Sequence, residues 1–195
     1  MAYDYQRLRV VKEGRLATVT ISNPPINIIT LELYAELSAL SIELKNDPDL
    51  TVVVLKSADP DFFLAHFDVS AILRFPTDTE PQRDAELNLY HQMCERFRTM
   101  DKVTIAQIEG RVGGGGSELA ASLDMRFGVR GKTVINQMEV PLGILPGGTG
   151  TQRLPRLVGA RRAAEILLRA HHSEKDFGGQ HPEGTAQHDG VAEIR

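Results

Sequence analysis

Residues 111–119 read RVGGGGSEL, so four successive glycines, Gly113 to Gly116, stand directly ahead of Ser117 and Glu118. Glycine is costly to order, and a folded chain that keeps such a run has a use for backbone without side chains. Three uses compete. The first is phosphate or nucleotide binding. A phosphate cradle of the GxxxxGK[ST] kind fits poorly, because Gly116 stands where the lysine belongs and the β- and γ-phosphates lose their cation. A dinucleotide turn starting at Gly113 fails at its last glycine, where Glu118 sets a carboxylate against a pyrophosphate. The second use is structural, a tight strand-to-helix turn in which backbones pack closely. The third is an oxyanion hole: unpaired N–H groups in the first turn of a helix point outward, with the helix dipole behind them, and suit a carbonyl oxygen acquiring negative charge. Glu118 is then either a complement to that dipole or an acid–base group beside the oxygen.

The elements that must hold this run are legible from periodicity. Leu16 to Ser22 alternates and is rich in β-branched residues, a strand closed by NPP at Asn23 to Pro25. From Thr30, a good N-cap type, Leu33, Leu37, Leu40 and Leu44 recur at helical spacing. TVVVLKS, Thr51 to Ser57, reads as a buried strand. After an irregular stretch, a helix is predicted over Arg83 to Met100, with Leu87, Tyr90, Cys94 and Phe97 on one side. Val103 to Gly110 is a strand that leads straight into the glycines. SELAASL begins a helix, Met125 to Val129 is a strand, and Thr149 to Ala170 is mostly helical. This alternation predicts an α/β chain, doubly wound about a mainly parallel sheet, with its site in the loops at the strand ends.

With 195 residues, 42% hydrophobic and 25% charged, carrying a net charge of −4, the chain reads as one globular domain. The acidic balance gives no general field for nucleic acid, and Arg153, Arg156, Arg161 and Arg162 read as a solvated helix face. Cys94, the single cysteine, rules out an intramolecular disulfide framework, fits a reducing compartment and reads as a buried thiol. The charged start lacks the apolar core of a secretory signal, and no stretch is long and apolar enough to cross a bilayer. A cytoplasmic protein without membrane partners is the expectation. Residues 170–195 contain few large apolar side chains and predict a mobile tail, in which His171, His172, His181 and His188 are solvated rather than metal ligands.

VTIAQIEGRVGGGGSELAASLDMRF (103–127), followed by NQMEVPLGILPGGTGTQRLPRLVG (136–159), resembles the crotonase superfamily, whose best-known members are the enoyl-CoA hydratases. The family shows a strand, a GGG turn, a short helix ending near an aspartate, then a second acid ahead of PGxGGTQRL. Here these are Gly114 to Gly116, Glu118, Asp124, Glu139 and Pro146 to Leu154. ISNPPINIITLELYAEL resembles the family's first strand, turn and helix, and DFFLAHFDVSAI stands where the family has FxAGxDL. The resemblance spans about residues 8 to 169, a crotonase-like core domain (1–169) ahead of the tail.

That resemblance implies a spiral of ββα units with two roughly perpendicular sheets, refining the doubly wound expectation, and a homotrimer or hexamer. It implies an acyl-coenzyme A thioester as ligand and substrate, no metal and no redox cofactor. The N–H groups of Gly115 and Phe67 map to the oxyanion hole, with Ala65, His66, Asp68, Gly114 and Gly116 around the substrate. Glu118 and Glu139 map to the acid–base pair, Glu118 acting on water and Glu139 on the α carbon. Hydration of a 2-enoyl-CoA is the expected reaction. A double-bond isomerase, an acyl-CoA hydrolase and an inactive acyl-CoA-binding remnant are the alternatives. Asp68 and Asp124 read as caps or braces, and His66 as a loop-packing residue. Ile72, Leu73 and Phe75 are candidates for either acyl-pocket lining or ordinary core. His66 replaces the family's glycine, which strains the loop if a positive φ is needed there. The family pattern stops at His171, so the C-terminal helical part is expected to be incomplete.

Overall fold

The computed structural model of the chain describes residues 3–76, 78, 86–169 and 191–193. In chain order, strands β1 (Leu8–Glu13) and β2 (Leu16–Ile21) lead to helix α1 (Leu31–Asn46). Strands β3 (Val52–Ser57) and β4 (Phe62–Leu64) lead to the single turn α2 (Val69–Ile72), and α3 (Leu89–Thr99) comes next. Strands β5 (Val103–Ile108) and β6 (Arg111–Gly113) run into α4 (Gly114–Ser122). Then come β7 (Met125–Val129), β8 (Val134–Asn136) and a 3-10 turn at Val140–Leu142. Helices α5 (Gly150–Val158) and α6 (Ala160–Arg169) and strand β9 (Val191–Glu193) complete the described elements.

The strands alternate between two sheets. The larger has the order β1-β2-β3-β5-β7-β9 and the smaller β4-β6-β8. Pairing is parallel from β2 through β7 and throughout the small sheet, and antiparallel for the β1–β2 hairpin and for β9 on β7. From β3 to β8 each unit contributes one strand to each sheet, and the next unit lies one strand further on, whereas β1 and β2 both stay in the larger sheet. This is the crotonase-like spiral; a single doubly wound sheet is not what forms, because every second strand leaves for the smaller sheet.

One apolar core joins these layers. Leu33, Leu37, Leu40 and Leu44 of α1 are buried with Val53 and Leu55 of β3, Phe63 and Leu64 of β4, and Met93, Cys94 and Phe97 of α3. Each leucine contributes roughly 1.5–3 kcal/mol by leaving water. Thr30 caps α1 by accepting the Leu33 N–H at 3.3 Å. Leu154, Ala163 and Ile166 form a second, smaller core between α5 and α6.

The predicted helix over Arg83 to Met100 is shorter than its pattern. Asn88 accepts the His91 N–H at 2.9 Å and starts the helix at Leu89, leaving Leu87 exposed ahead of it; residues 83–85 lie outside the described residues. The helix expected at SELAASL begins three residues earlier, so Gly114 to Gly116 are its first turn rather than a link to it. Leu73 and Phe75 are exposed, which removes the core reading for both. Of the expected mobile tail and its histidines, residues 170–190, 194 and 195 lie outside the described residues, and Val191–Glu193 form β9.

Candidate active site

The small sheet decides where the chemistry can sit. Leu64 pairs with Val112, and Gly113 pairs with Asn136, so β4, β6 and β8 end side by side at their C-terminal edge. Neighbouring strands lie about 4.8 Å apart, so the residues just past one strand meet those just past its neighbour. Beyond β4 comes Phe67, beyond β6 comes Gly115, and beyond β8 comes Glu139.

Phe67 is presented by a one-residue parallel bridge to Ile29. The bridge uses the His66 carbonyl, which accepts from the Ile29 N–H at 2.8 Å, and the Asp68 N–H, which donates to the Ile29 carbonyl at 3.0 Å. In such a bridge the N–H of the middle residue points the other way. Gly115 lies in the first turn of α4, where an N–H has no carbonyl within the helix. A Cβ added to Gly115 would sit 3.2 Å from Phe67 Cβ and 3.7 Å from the Phe67 nitrogen, which measures how closely the two residues approach. Gly114 has φ +46°, in the left-handed region, and a Cβ there would lie 3.0 Å from a Glu139 carboxylate oxygen. Gly116 backs onto Leu64, whose carbonyl oxygen would be 2.5 Å from an added Cβ.

Glu118, 2% exposed, points back from α4 toward the segment before α5. Its Oε1 accepts the N–H of Thr149 at 3.0 Å and of Gly150 at 2.7 Å. Side chains are excluded there: a Cβ on Gly148 would overlap the Glu118 carboxylate, and one on Gly150 would approach it to 3.0 Å. Burial raises the Glu118 pKa above the ordinary carboxylate value, while the N–H groups of Gly150, Thr149 and Gly148 pull against that rise. Glu139, 7% exposed, is pushed up to about 7, first by burial and then by the charge of Glu118. Burial thus raises both carboxyls, Glu139 to about 7, and three backbone N–H groups oppose the rise at Glu118.

Gln137, which periodicity does not single out, links Glu139 to Ser117 of α4. With its carboxamide oriented to satisfy both ends, it accepts from Ser117 Oγ at 2.5 Å and donates to the two oxygens of Glu139 at 3.2 and 2.9 Å. A carboxamide two residues before a candidate acid is the only signal of it in the sequence. Periodicity puts Tyr90 on the core-facing side of a helix; its hydroxyl donates to the Gly115 carbonyl at 2.6 Å.

The remaining residues fall outside this cluster or beside it. Ala65 is buried next to the site and donates to the Asn27 carbonyl at 3.3 Å. His66 does not have positive φ, since Asn27 and Thr149 are the non-glycine residues that do among those described, so histidine there costs no backbone strain. Its Nδ1 lies 2.7 Å from the Phe67 carbonyl oxygen. Asp68 caps α2 through the Ser70 N–H at 2.8 Å, and Asp124 accepts from Thr104 N and Oγ1 at 2.8 Å each, bracing β5. Cys94 is buried and its thiol is pushed up to about 12, which makes it inert. Arg153 pairs with Glu95, and Arg161 and Arg162 with Glu165, so these arginines bind their own fold. Among the described residues, no helix is long and apolar enough to cross a membrane.

A sequence profile described as enoyl-CoA hydratase/isomerase matches residues 12–176. The short-chain-enoyl-CoA hydratase of Clostridium acetobutylicum is 34% identical over 166 residues, covering 85% of this chain and 62% of that protein. The fatty acid oxidation complex subunit alpha of a Shewanella species is 33% identical over 154 residues, 78% of this chain and 22% of its own. The crystal structure of the enoyl-CoA hydratase of Bacillus anthracis superposes with a TM-score of 0.75 at 26% identity, covering 85% of this chain and 64% of that one. The chain thus spans less than two thirds of the length of each.

Proposed function

The chain belongs to the enoyl-CoA hydratase/isomerase family, and from that premise we propose that it adds water across the Cα=Cβ bond of a 2-enoyl-CoA thioester. The observation that carries this reading is the convergence of Phe67, Gly115 and Glu139 at the ends of three adjacent strands, with Glu118 one helical turn away. The N–H groups of Gly115 and Phe67 receive the thioester oxygen and polarise the conjugated double bond. Glu118, ionised, takes a proton from water as the water oxygen bonds to the β carbon. The electron pair of the double bond moves onto the thioester as an enolate, held by the two amides. Glu139, protonated, returns a proton to the α carbon, and the thioester carbonyl reforms. One water is added and nothing is oxidised or reduced, so the reaction requires no redox cofactor, and two amides replace a metal as the electrophile.

Ala65, His66, Asp68, Gly114 and Gly116 form the rim and floor that seat the acyl group. Exposed Val140, Leu142, Leu145 and Leu168 offer an apolar surface for a homotrimer or hexamer. A cytoplasmic setting suits the single buried thiol. A second reading within the family, double-bond isomerisation, draws support from Glu139, whose pKa of about 7 suits a group that takes and returns a proton. The test is the loss of enoyl absorbance from crotonyl-CoA with the purified chain. Turnover that Glu118→Gln abolishes supports hydration. Unchanged turnover in Glu118→Gln, or a product that has not gained the mass of water, rejects it.

A further inference from the structure

Tyr90 takes no part in the steps of hydration, yet its side chain touches both halves of the oxyanion hole. Its hydroxyl donates to the Gly115 carbonyl at 2.6 Å, and its ring meets the Phe67 ring edge to face at 5.8 Å and 85°. The ring also lies beside the segment that cradles Glu118, since a Cβ on Gly148 would sit 3.0 Å from Tyr90 Cε1. Tyr34 stacks behind it at 5.9 Å and 29°. The helix that carries Tyr90 is itself fastened. Arg96 donates to Ser41 Oγ at 2.8 Å and Ser38 Oγ at 2.7 Å on α1, and His91 Nε2 lies 2.5 Å from the Gly147 carbonyl oxygen.

This arrangement answers a physical need. A first helical turn made of Gly114, Gly115 and Gly116 has no side chains to hold it and the largest conformational freedom to lose. Amides stabilise an enolate oxygen best when fixed before the charge develops. An external tether on Gly115 and an external wall on Phe67 provide that fixing, and one side chain supplies both. Burial raises the phenol pKa well above its ordinary value, so the hydroxyl remains a neutral donor.

We infer that Tyr90 is a positioning residue that sets the spacing of the Gly115 and Phe67 amides and thereby the polarisation of a bound acyl thioester. The inference rests on the proposed function only in that an acyl thioester occupies the hole. Tyr90→Phe in the full chain keeps the ring and removes the tether. Two readouts apply: kcat and KM for crotonyl-CoA, and the absorption of bound cinnamoyl-CoA, which moves to the red as its carbonyl is polarised. The expected result is a fall in kcat of about tenfold, the worth of one hydrogen bond, with KM within about twofold. The red shift shrinks, and the thermal midpoint falls by no more than about 5 °C, the cost of one lost hydrogen bond. Tyr90→Leu, which also removes the wall, lowers kcat further, by about a hundredfold. If Tyr90→Phe keeps both the kcat and the red shift of the unsubstituted chain, or raises KM alone, the inference is overturned while hydration stands. If the unsubstituted chain neither hydrates crotonyl-CoA nor shifts the bound spectrum, the proposed function and this inference fall together.

Discussion

The surroundings of Glu118 and Glu139 differ in a way that their shared burial conceals. Glu118 sits against the Gly148–Thr149–Gly150 segment, whose N–H groups aim at its carboxylate. Glu139 sits at the end of β8 beside the Gln137 carboxamide, and burial together with the Glu118 charge holds its pKa up to about 7. The proposed mechanism asks the same residue type to serve as a base in one pocket and an acid in the other. Backbone N–H groups oppose the rise at both, those of Gly148, Thr149 and Gly150 at Glu118 and those of Met138 and Glu139 at Glu139, where the Glu118 charge adds to the rise. The glycine turn at the start of α4 allows a close approach too, since Gly114 and Gly116 admit Glu139 and Leu64 where a methyl group would collide.

This contrast can be broken most severely by removing either charge site. Glu118→Gln and Glu139→Gln each lower turnover of crotonyl-CoA by about a thousandfold, the usual worth of a positioned acid or base, read by enoyl absorbance. Gly148→Ala attacks the Glu118 pocket without touching its chemistry. The added methyl displaces the carboxylate, and kcat falls by about a hundredfold while KM holds. The pH profile then sharpens the comparison. Hydration needs Glu139 protonated, so its rate declines as pH rises through about 7, whereas dehydration, which needs Glu139 ionised, rises over the same range. Gln137→Leu removes the donors that favour the ionised form and moves that limb to higher pH.

The smallest effect is on stability, and its sign is distinctive. A carboxyl whose folded pKa is raised from 4.5 to about 7 contributes stability that is fully present below its unfolded pKa and is lost as pH rises through the folded one. Glu139→Gln, though nearly inactive, therefore has a higher thermal midpoint than the unsubstituted chain at pH 8, by a few degrees on the scale of about 2–4 °C per kcal/mol. Below the ordinary carboxyl value of 4.5 the two coincide. A midpoint that drops at pH 8 would show that the Glu139 charge is welcome in its pocket.

How much of this is legible in the sequence depends on distance along the chain. The leucines of α1 and the strands β3, β5 and β7 carry their periods within runs of five to sixteen residues, and their positions follow from that alone. Strands β4, β6 and β8 have three residues each, too few for any period, yet they are the ones that align the site. Glu118 and the glycines stand out because they are adjacent. Tyr90 and Gln137 do not, since Tyr90 meets Gly115 across 25 residues and Gln137 meets Ser117 across 20. The resemblance to the crotonase superfamily supplies Glu139 and Phe67, which residue chemistry alone leaves as an ordinary acid and an ordinary aromatic.

The division of labour between the two glutamates is tested most directly by running the reaction in deuterium oxide and locating the label in the 3-hydroxyacyl product. Delivery from one fixed carboxyl predicts a single deuterium at the α carbon, on one face, and its disappearance together with turnover in Glu139→Gln. Deuterium on both faces, or undiminished incorporation in Glu139→Gln, would contradict the account.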